Sequence, residues 1–488
     1  MQNRRRRGQS GIAIYITTAM LVMIIPTIGL TVDGSLLYII RTRMQGACDG
    51  AALAATRALA RGTNSAAQIT NAQNDAAIYV KLNFPSSFFF SGDVQIDPTT
   101  DVTVDLGQAN LRVVTVNAHV TEPTLFMRWL SEPSTIVRAT ATATRRDVNI
   151  SMVVDRSGSL SASGSCGAVK QAAINFVNKF SDGRDNVSLV TFAASTHVDF
   201  PINVNFKSAG TPVPTILSNI VCAGSTSSAM SLWYGYDQLV GLNQPGALNV
   251  LLFFTDGKPT GVNVNMPIAG TSGCTNAHPG AGGAPNYING LYNTYTNVNQ
   301  FFGILKPIGT GTPPDDTTQV VTPDGNSGAN CAFAAGWNGN VTNTSDFLGV
   351  PLTDVFGDSL NNGYQAVTTV GACPGVTCFI DINNPNNAGA MPMNAADDAA
   401  TRIRNGATEP STLPQSGKKL NGVTIFSIGL GNAPYPLSPG LLKRISNDPT
   451  SDIYSTSQSQ GLFVSAPTAA DIDEAFTKVA SEVLRLAK

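Results

Sequence analysis

Two apolar segments that each end at an aspartate constrain the fold of this chain more than any other feature. Residues 148–155 read VNISMVVD and residues 248–256 read LNVLLFFTD, and both are uncharged up to the final aspartate. Such strands are typical of parallel sheets whose two faces are covered by helices. Helical patterns over about 165–180 and 226–241 separate them, and a third apolar strand follows at 422–431. The sequence therefore predicts an α/β domain with a doubly wound, mostly parallel sheet.

Oxygen-bearing side chains follow these strands. Asp155, Ser157 and Ser159 occupy alternate positions in DRSGS, and Asp256 ends the second strand. A third loop, AGSTSSAM, places Thr226 at the start of an apolar helix. Ligands of parallel sheets bind beyond the carboxyl ends of the strands. The three loops therefore predict a site for a hard cation, Mg²⁺ or alternatively Mn²⁺ or Ca²⁺.

These three loops resemble the metal-ion-dependent adhesion site of von Willebrand factor A domains, which have a Rossmann-like fold. The family pattern is DxSxS, then a threonine loop, then an aspartate loop. The resemblance implies that Ser157, Ser159 and Thr226 contact the metal, while Asp155 and Asp256 hold its waters. It also implies a protein partner whose Asp or Glu carboxylate completes the coordination. Taken singly, DRSGS would favour a serine-rich turn and TDG a type I turn, and only the three loops in order favour the metal site.

An uncharged segment near the N-terminus predicts contact with a lipid bilayer. Residues 12–32 are long enough, as a helix, to cross about 30 Å of hydrocarbon. A cleaved signal peptide is the alternative, but the segment exceeds a usual signal core and no clear A-x-A site follows. We expect an uncleaved, single-pass anchor. Four arginines at residues 4–7 favour a cytoplasmic N-terminus, so the bulk of the chain would be periplasmic or surface-exposed.

The helical pattern continues beyond this segment through the alanine-rich residues 47–60. A second amphipathic helix is expected over 65–82. Alternating residues in 101–106 and 114–120 predict strands. We therefore expect a pilin-like module at 33–146, in which a long helix is followed by a small antiparallel sheet.

The N-terminal sequence resembles TadE/TadG-like proteins of bacterial Tad (Flp) pilus systems. The shared pattern is a basic start, an apolar span ending in Val32-Asp33, and RxxxQxACDxAALAA from Arg41 to Ala55. The segment PTLFMRWL at 123–130 also resembles the end of that family's module. TadG-like proteins join this module to a C-terminal von Willebrand A domain. The resemblance implies an inner-membrane protein that acts with other pilus-assembly components in assembly, anchoring or adhesion.

The chain departs from type IV pilins in one respect. Those proteins are cut after a glycine and carry a glutamate at the fifth mature position. Counted from Gly8 or Gly11, that position holds Ala13 or Ile16. Prepilin processing is therefore not expected.

The patterns divide the chain into six segments: a basic cytoplasmic tail (1–11), a transmembrane helix (12–32), the pilin-like module (33–146), the first part of the A domain (147–261), a Gly/Asn/Pro-rich insertion (262–420) and the last part of the A domain (421–488). The insertion leaves directly after the Asp256 loop. It is either a lid or added binding surface above the metal, or a tolerated loop-rich insertion remote from the site.

Seven cysteines favour an oxidising compartment. Cys166 lies just beyond DRSGS, and Cys222 lies four residues before Thr226. A disulfide between them would hold two of the loops together. The candidate pairs are Cys166–Cys222, Cys274–Cys331 and Cys373–Cys378, with Cys48 left over. The sequence leaves the connectivity open, because six cysteines allow fifteen pairings.

Other functional classes find little support. A net charge of −2 argues against nucleic acid as a partner. The chain has no P-loop, GxSxG or HExxH motif, so no enzymatic activity is expected. The alternative is an envelope scaffold or co-factor protein for an ATPase or chaperone machine, with a structural, metal-free A domain. A cytoplasmic location of the residues after 60 would favour that alternative.

Overall fold

The computed structural model describes residues 10–59, 65–105, 111–193, 195–267, 287–295, 300–305, 350–370, 379–381, 384–431 and 437–487. The chain divides into two compact units, residues 1–145 and residues 146–488. The buried apolar clusters among the described residues each belong to one unit alone. Each unit therefore has its own core.

One long helix dominates the N-terminal unit. Helix α1 (Ser10–Ala58) runs without a break through Pro26, which confirms the helix predicted for about residues 12–60. Threonine hydroxyls in its apolar half donate to carbonyl oxygens one turn earlier, for example from Thr27 Oγ1 to Met23 O at 2.7 Å. By length and composition alone, this helix is able to cross a membrane.

The rest of the unit packs on the second half of α1. Helix α2 (Ser65–Asn83) contacts α1, and a sheet follows in the order β1-β2-β3. The strands are β1 (Val102–Asp105), β2 (Leu111–Pro123) and β3 (Ser134–Arg146), and β1 is antiparallel to β2. Alanines on the buried face of α1 leave room for this close packing. The long helix with a small sheet agrees with the sequence prediction.

The C-terminal unit alternates strands and helices. Its strands are β4 (Val148–Asp155), β5 (Asn186–Phe192), β6 (Thr196–Asn203), β7 (Leu248–Thr255), β8 (Gly261–Pro267), β9 (Tyr287–Tyr295), β10 (Gln300–Leu305), β11 (Thr369–Val370), β12 (Phe379–Ile380), β13 (Thr424–Leu430) and β14 (Leu462–Ala466). Its helices are α3 (Gly158–Ala162), α4 (Cys166–Val177), α5 (Val213–Asn219), α6 (Ser228–Leu242), α7 (Pro385–Arg404), α8 (Pro439–Ser446) and α9 (Ile472–Leu486).

A six-stranded sheet in the order β14-β13-β7-β4-β5-β6 forms the centre of this unit. Its strands are parallel except β6, which lies antiparallel to β5 at one edge. Every residue of β4, β7 and β13 is buried. This burial confirms the prediction of a mostly parallel sheet that is covered on both faces.

Alternate residues of the central strands contact the two layers of helices. Val153 and Phe253 belong to the cluster that includes residues of α6, α7 and α8. Val154 and Phe254 belong to the cluster on the other face, with residues of α4, α5 and α9. The carboxyl ends of β4 and β7 therefore emerge side by side between the two layers.

The region between β7 and β13 is more regular than the composition predicts. Strands β8, β9 and β10 form an antiparallel sheet, and α7 is a helix of 20 residues that contacts α6 and α8. Several described apolar residues of the region join the core on the α6 side, among them Val262, Phe356 and Leu360. The residues 268–286 and 306–349, on which the lid hypothesis mainly depends, lie outside the described residues.

Candidate metal site at the carboxyl ends of the strands

The DRSGS loop turns sharply after β4. The backbone N–H of Ser157 donates to Asp155 Oδ1 at 2.7 Å, and helix α3 begins at the next residue. Thr255 Oγ1, at the end of β7, donates to Asp155 Oδ2 at 2.6 Å. Both oxygens of Asp155 are thus held by groups from two adjacent strand ends.

The two serine hydroxyls and Asp256 form a compact cluster. Ser157 Oγ and Ser159 Oγ lie 2.9 Å apart. Both hydroxyls hydrogen-bond to Asp256 Oδ1, at 3.2 Å from Ser157 and 2.6 Å from Ser159. The structure therefore brings together four of the five residues that the sequence predicted, through direct hydrogen bonds across the ends of β4 and β7.

Backbone contacts place the fifth residue, Thr226, in the same group of loops. The N–H of Gly158 donates to Gly224 O at 2.9 Å, so the loop before Thr226 lies against the DRSGS loop. A Cβ at Gly158 would lie 3.3 Å from that carbonyl oxygen, which explains a glycine at this position. On its other side, Thr226 O accepts from the N–H of Thr260 at 2.7 Å.

A disulfide joins the same loops. Cys166 at the start of α4 is bonded to Cys222, with Cα atoms 6.2 Å apart, which confirms the predicted pairing. Cys48 is a buried free cysteine whose thiol lies 3.8 Å from Ala139 O. The four cysteines of the other two predicted pairs lie outside the described residues: Cys274, Cys331, Cys373 and Cys378.

The acidic pair is buried. Asp155 is 1% exposed and Asp256 is fully buried. Burial, and then the negative charge of Asp256, raises the pKa of Asp155 to about 7. The serine and threonine hydroxyls described above stabilise the carboxylates by hydrogen bonding but bring no positive charge. A cation at this place would therefore relieve a real electrostatic cost.

The donor atoms fit one class of metal better than others. Among the described residues, no group of three or more His, Cys, Asp or Glu side chains is placed to hold a metal ion. The cluster instead offers two carboxylates and neutral hydroxyls. This all-oxygen set suits a hard ion such as Mg²⁺, which keeps part of its water shell. It lacks the nitrogen or sulfur ligands that are typical of structural zinc.

Two threonines of the cluster were missed in the sequence prediction. Thr255 bonds to Asp155, and the Thr260 hydroxyl accepts from the backbone N–H of Thr226 at 3.0 Å. Thr255 is the first residue of TDG and Thr260 follows that motif within TDGKPTG, so their nearness to Asp256 in the sequence was the available signal. Their partners lie 100 and 34 residues away along the chain, which no local pattern indicates.

Comparison with known families agrees with the two halves of this description. Residues 149–271 match the model of the von Willebrand factor type A domain. Residues 11–67 match the model of the Flp pilus-assembly TadE/G-like family. No curated protein matches the chain.

Several solved structures are similar to the chain at low identity. The pilus adhesin SpaC from Lactobacillus rhamnosus GG has a TM-score of 0.38 at 12% identity, covering 81% of this chain and 36% of the adhesin. The chain thus spans only about a third of that adhesin. The PilB minor pilin from Streptococcus sanguinis has a TM-score of 0.35 at 12% identity, covering 83% of this chain and 81% of the pilin. The vWF domain of the type V pili tip protein Mfa5 from Porphyromonas gingivalis has a TM-score of 0.32 at 15% identity, covering 71% of this chain and 98% of that domain.

The family matches occur in the order that the sequence predicted. The chain therefore combines a TadE/G-like Flp pilus-assembly module at its N-terminus with a following von Willebrand factor type A domain, which is the architecture of TadG-like proteins.

Proposed function

We propose that this chain is a membrane-anchored envelope protein of a Tad/Flp-type pilus system. Its A domain binds a protein partner through a divalent cation, and the binding serves pilus assembly, anchoring or adhesion. The long apolar part of α1 and the TadE/G-like match support the anchor and the pilus context. The proposed location is the inner membrane, with a cytoplasmic N-terminus and the A domain on the outer side.

One observation carries the binding mechanism: the buried pair Asp155 and Asp256 at adjacent strand ends, with serine hydroxyls between them. When both hydroxyls donate their protons to Asp256, the oxygen lone pairs of Ser157 and Ser159 stay free for a cation. We assign direct contact to these two serines and to Thr226, and water-mediated contact to the two aspartates.

The cation, when bound, supplies the positive charge that attracts a carboxylate. Neutral hydroxyls leave much of that charge uncompensated, so an Asp or Glu of the partner gains strongly at this partly buried place. The chain's own residues orient the site. Thr255 and the Ser157 N–H hold Asp155, and the two serines hold Asp256.

The metal is tested by thermal unfolding of residues 146–488, the unit with its own cores, in EDTA, Mg²⁺, Mn²⁺ and Ca²⁺. A ligand at a hundred times its dissociation constant adds about 2.7 kcal/mol to stability, which such a scan resolves. We expect Asp155→Ala and Ser159→Ala to remove the metal-dependent gain. Ser161→Ala is the matched control, because Ser161 is an exposed hydroxyl on the same short helix. Absence of a gain in the unchanged protein would contradict the metal site.

The orientation is tested separately, with reporter enzymes fused after residue 60 and at the C-terminus. Alkaline phosphatase, which requires export to fold, should be active at both places. An active cytoplasmic reporter at either place would favour the scaffold for an ATPase or chaperone machine instead.

A further inference from the structure

We propose that residues 124–131 (TLFMRWLS), here called the interface loop, form a second membrane contact in which Asp33 holds exposed aromatic side chains at the bilayer surface. The contact is with lipid, at the boundary between headgroups and acyl chains. The proposal rests on the membrane anchor of the proposed function, because the end of the apolar segment of α1 defines where the bilayer surface lies relative to the loop. The observations that carry it all belong to the N-terminal unit.

The carboxylate of Asp33 fixes the loop to α1. Asp33 Oδ1 accepts from the N–H of Leu125 at 3.0 Å, and Oδ2 accepts from those of Phe126 at 3.0 Å and Met127 at 2.7 Å. Asp33 is only 2% exposed. A charged group directly after an uncharged span is costly to place near hydrocarbon, and three backbone donors offset that cost.

The loop also reaches one turn further toward the span. Gly29 and Asp33 are four residues apart, on the same face of α1 and about 6 Å apart along the helix axis. A Cβ at Gly29 would lie 2.6 Å from Phe126 Cβ, so the Phe126 side chain rests directly on this glycine. Because Gly29 lies inside the uncharged segment 12–32, Phe126 must sit at the edge of any bilayer that α1 crosses.

The side chains that the loop exposes suit this height. Trp129 is 85% exposed, and Leu125 and Phe126 are each 41% exposed. Arg128 is exposed beside them. Tryptophan is enriched where membranes meet water, and arginine extends its charged group toward the headgroups while its carbon chain stays apolar. Such a cluster is costly in water but favourable at a lipid surface.

The loop is held in shape before it meets any lipid. The N–H of Thr124 donates to Pro133 O at 3.1 Å, and the N–H of Trp129 donates to Phe126 O at 3.1 Å. Ser131 has a φ of 74°, which reverses the chain at the end of the short 3₁₀ helix Met127–Leu130. The backbone of the loop therefore has little conformational freedom to lose on contact with lipid, which favours binding.

The first test measures tryptophan fluorescence of the full chain in vesicles of phosphatidylethanolamine and phosphatidylglycerol. Some of the lipids carry a spin label near the headgroup end of the acyl chain. The chain has three tryptophans, so the signal of Trp129 is the difference between the unchanged protein and Trp129→Phe. We expect the lipid spin label to quench that difference at least twofold, and iodide in the water to quench it weakly. Strong iodide quenching without lipid quenching would overturn the proposal.

The second test separates the loop from the span. Asp33→Asn removes the charge that holds the three N–H groups, and Gly29→Leu displaces Phe126 while making the span more apolar. Both variants should stay in the membrane during alkaline extraction but lose most of the lipid quenching of Trp129. Asp49→Asn, at an exposed aspartate further along α1, is the control and should lose none.

The outcomes distinguish this proposal from the proposed anchor. If every variant resists extraction and Trp129 stays accessible to iodide, the anchor stands and the interface loop is refuted. If the unchanged chain is extracted, the anchor itself fails and the loop proposal fails with it. If Asp33→Asn keeps full lipid quenching, Asp33 does not position the loop, and the mechanism stated here is wrong.

Discussion

The Cys166–Cys222 disulfide links the start of α4 to the loop that leads to Thr226, and its removal has a predictable cost. We expect the double variant Cys166→Ala/Cys222→Ala to lower the free energy of unfolding of residues 146–488 by about 4 kcal/mol. The two cysteines are 56 residues apart. In the chain-entropy description, closing a loop of that size restricts the unfolded chain by about 14 cal/mol/K, or about 4 kcal/mol at 25 °C. Alanine is chosen because Cys222 is buried and a hydroxyl there would add a desolvation cost.

Urea unfolding measures this difference directly. The unchanged protein is compared with and without a reducing agent, and the double variant is treated in the same way. Under reducing conditions the unchanged protein and the variant should have nearly equal stability, because both then lack this disulfide. A Mg²⁺ titration of both proteins, followed by the same unfolding transition, then shows whether the covalent link also supports the metal loops.

One result would contradict the reasoning on stability, and another would limit the role of the disulfide to stability. A loss below about 1 kcal/mol would mean that the link does not restrict the unfolded chain as the loop length implies. Equal Mg²⁺ affinity in both proteins would show that backbone bonds alone hold the loops together. The bonds in question run from Gly158 N–H to Gly224 O at 2.9 Å and from Ala223 N–H to Arg156 O at 2.7 Å.

Three further predictions concern the same unit and use urea unfolding. Asp256→Asn should raise the free energy of unfolding in EDTA at pH 8 by about 1 kcal/mol, because it removes the charge beside Asp155. The variant should nevertheless lose the stability gain from Mg²⁺. A loss of stability in EDTA would contradict the charge argument. Burial, and then the charge of Asp237, raises the pKa of Glu409 from 4.5 to about 9. Between these pH values the folded state keeps a proton that the unfolded chain releases, so the free energy of unfolding falls as the pH rises. Glu409→Gln should therefore gain on the unchanged protein by up to about 3 kcal/mol between pH 5 and pH 8, and a gain independent of pH would refute the assignment. Gly235→Ala on α6 should cost about 1–3 kcal/mol, because its Cβ would lie 2.5 Å from Val153 Cγ2. Gly241→Ala on the same helix meets only Gln415 at 3.5 Å and should be neutral or stabilising by up to about 1 kcal/mol, so equal effects of the two variants would contradict the packing argument.

The sequence predicted the elements whose signals are local. The apolar runs that end at Asp155 and Asp256 are the buried strands β4 and β7, and the alanine-rich N-terminal segment is part of one continuous helix. The order of the three loops also predicted a common site, because parallel strands in one sheet present their carboxyl ends at one edge. Four of the five candidate residues are joined there by hydrogen bonds.

What the sequence did not predict depends on partners far along the chain. Asparagines and one proline at the start of helix α7, together with Pro392 inside it, kept the sequence from indicating a helix. Burial of its alanines against α6 stabilises the helix instead. The dipeptide Val32-Asp33 matched a family pattern. No local signal, however, indicates that the Asp33 carboxylate binds backbone N–H groups 92 to 94 residues away. Tertiary contacts decided both cases.

The strand order of the central sheet has a consequence for the speed of folding. Strand β7 pairs with β4 across 100 residues at Val148 and Leu248, and with β13 across about 170 residues at Val250 and Thr424. Loop-closure entropy grows slowly with length, so these distant pairings cost little stability. They do slow folding, since ladders between distant segments form late. The contacts between α1 and α2 in the N-terminal unit are far more local, so that helix pair should form first. Strand β7, apolar along its whole length, must then stay protected from other chains until β4 and β13 cover its two edges.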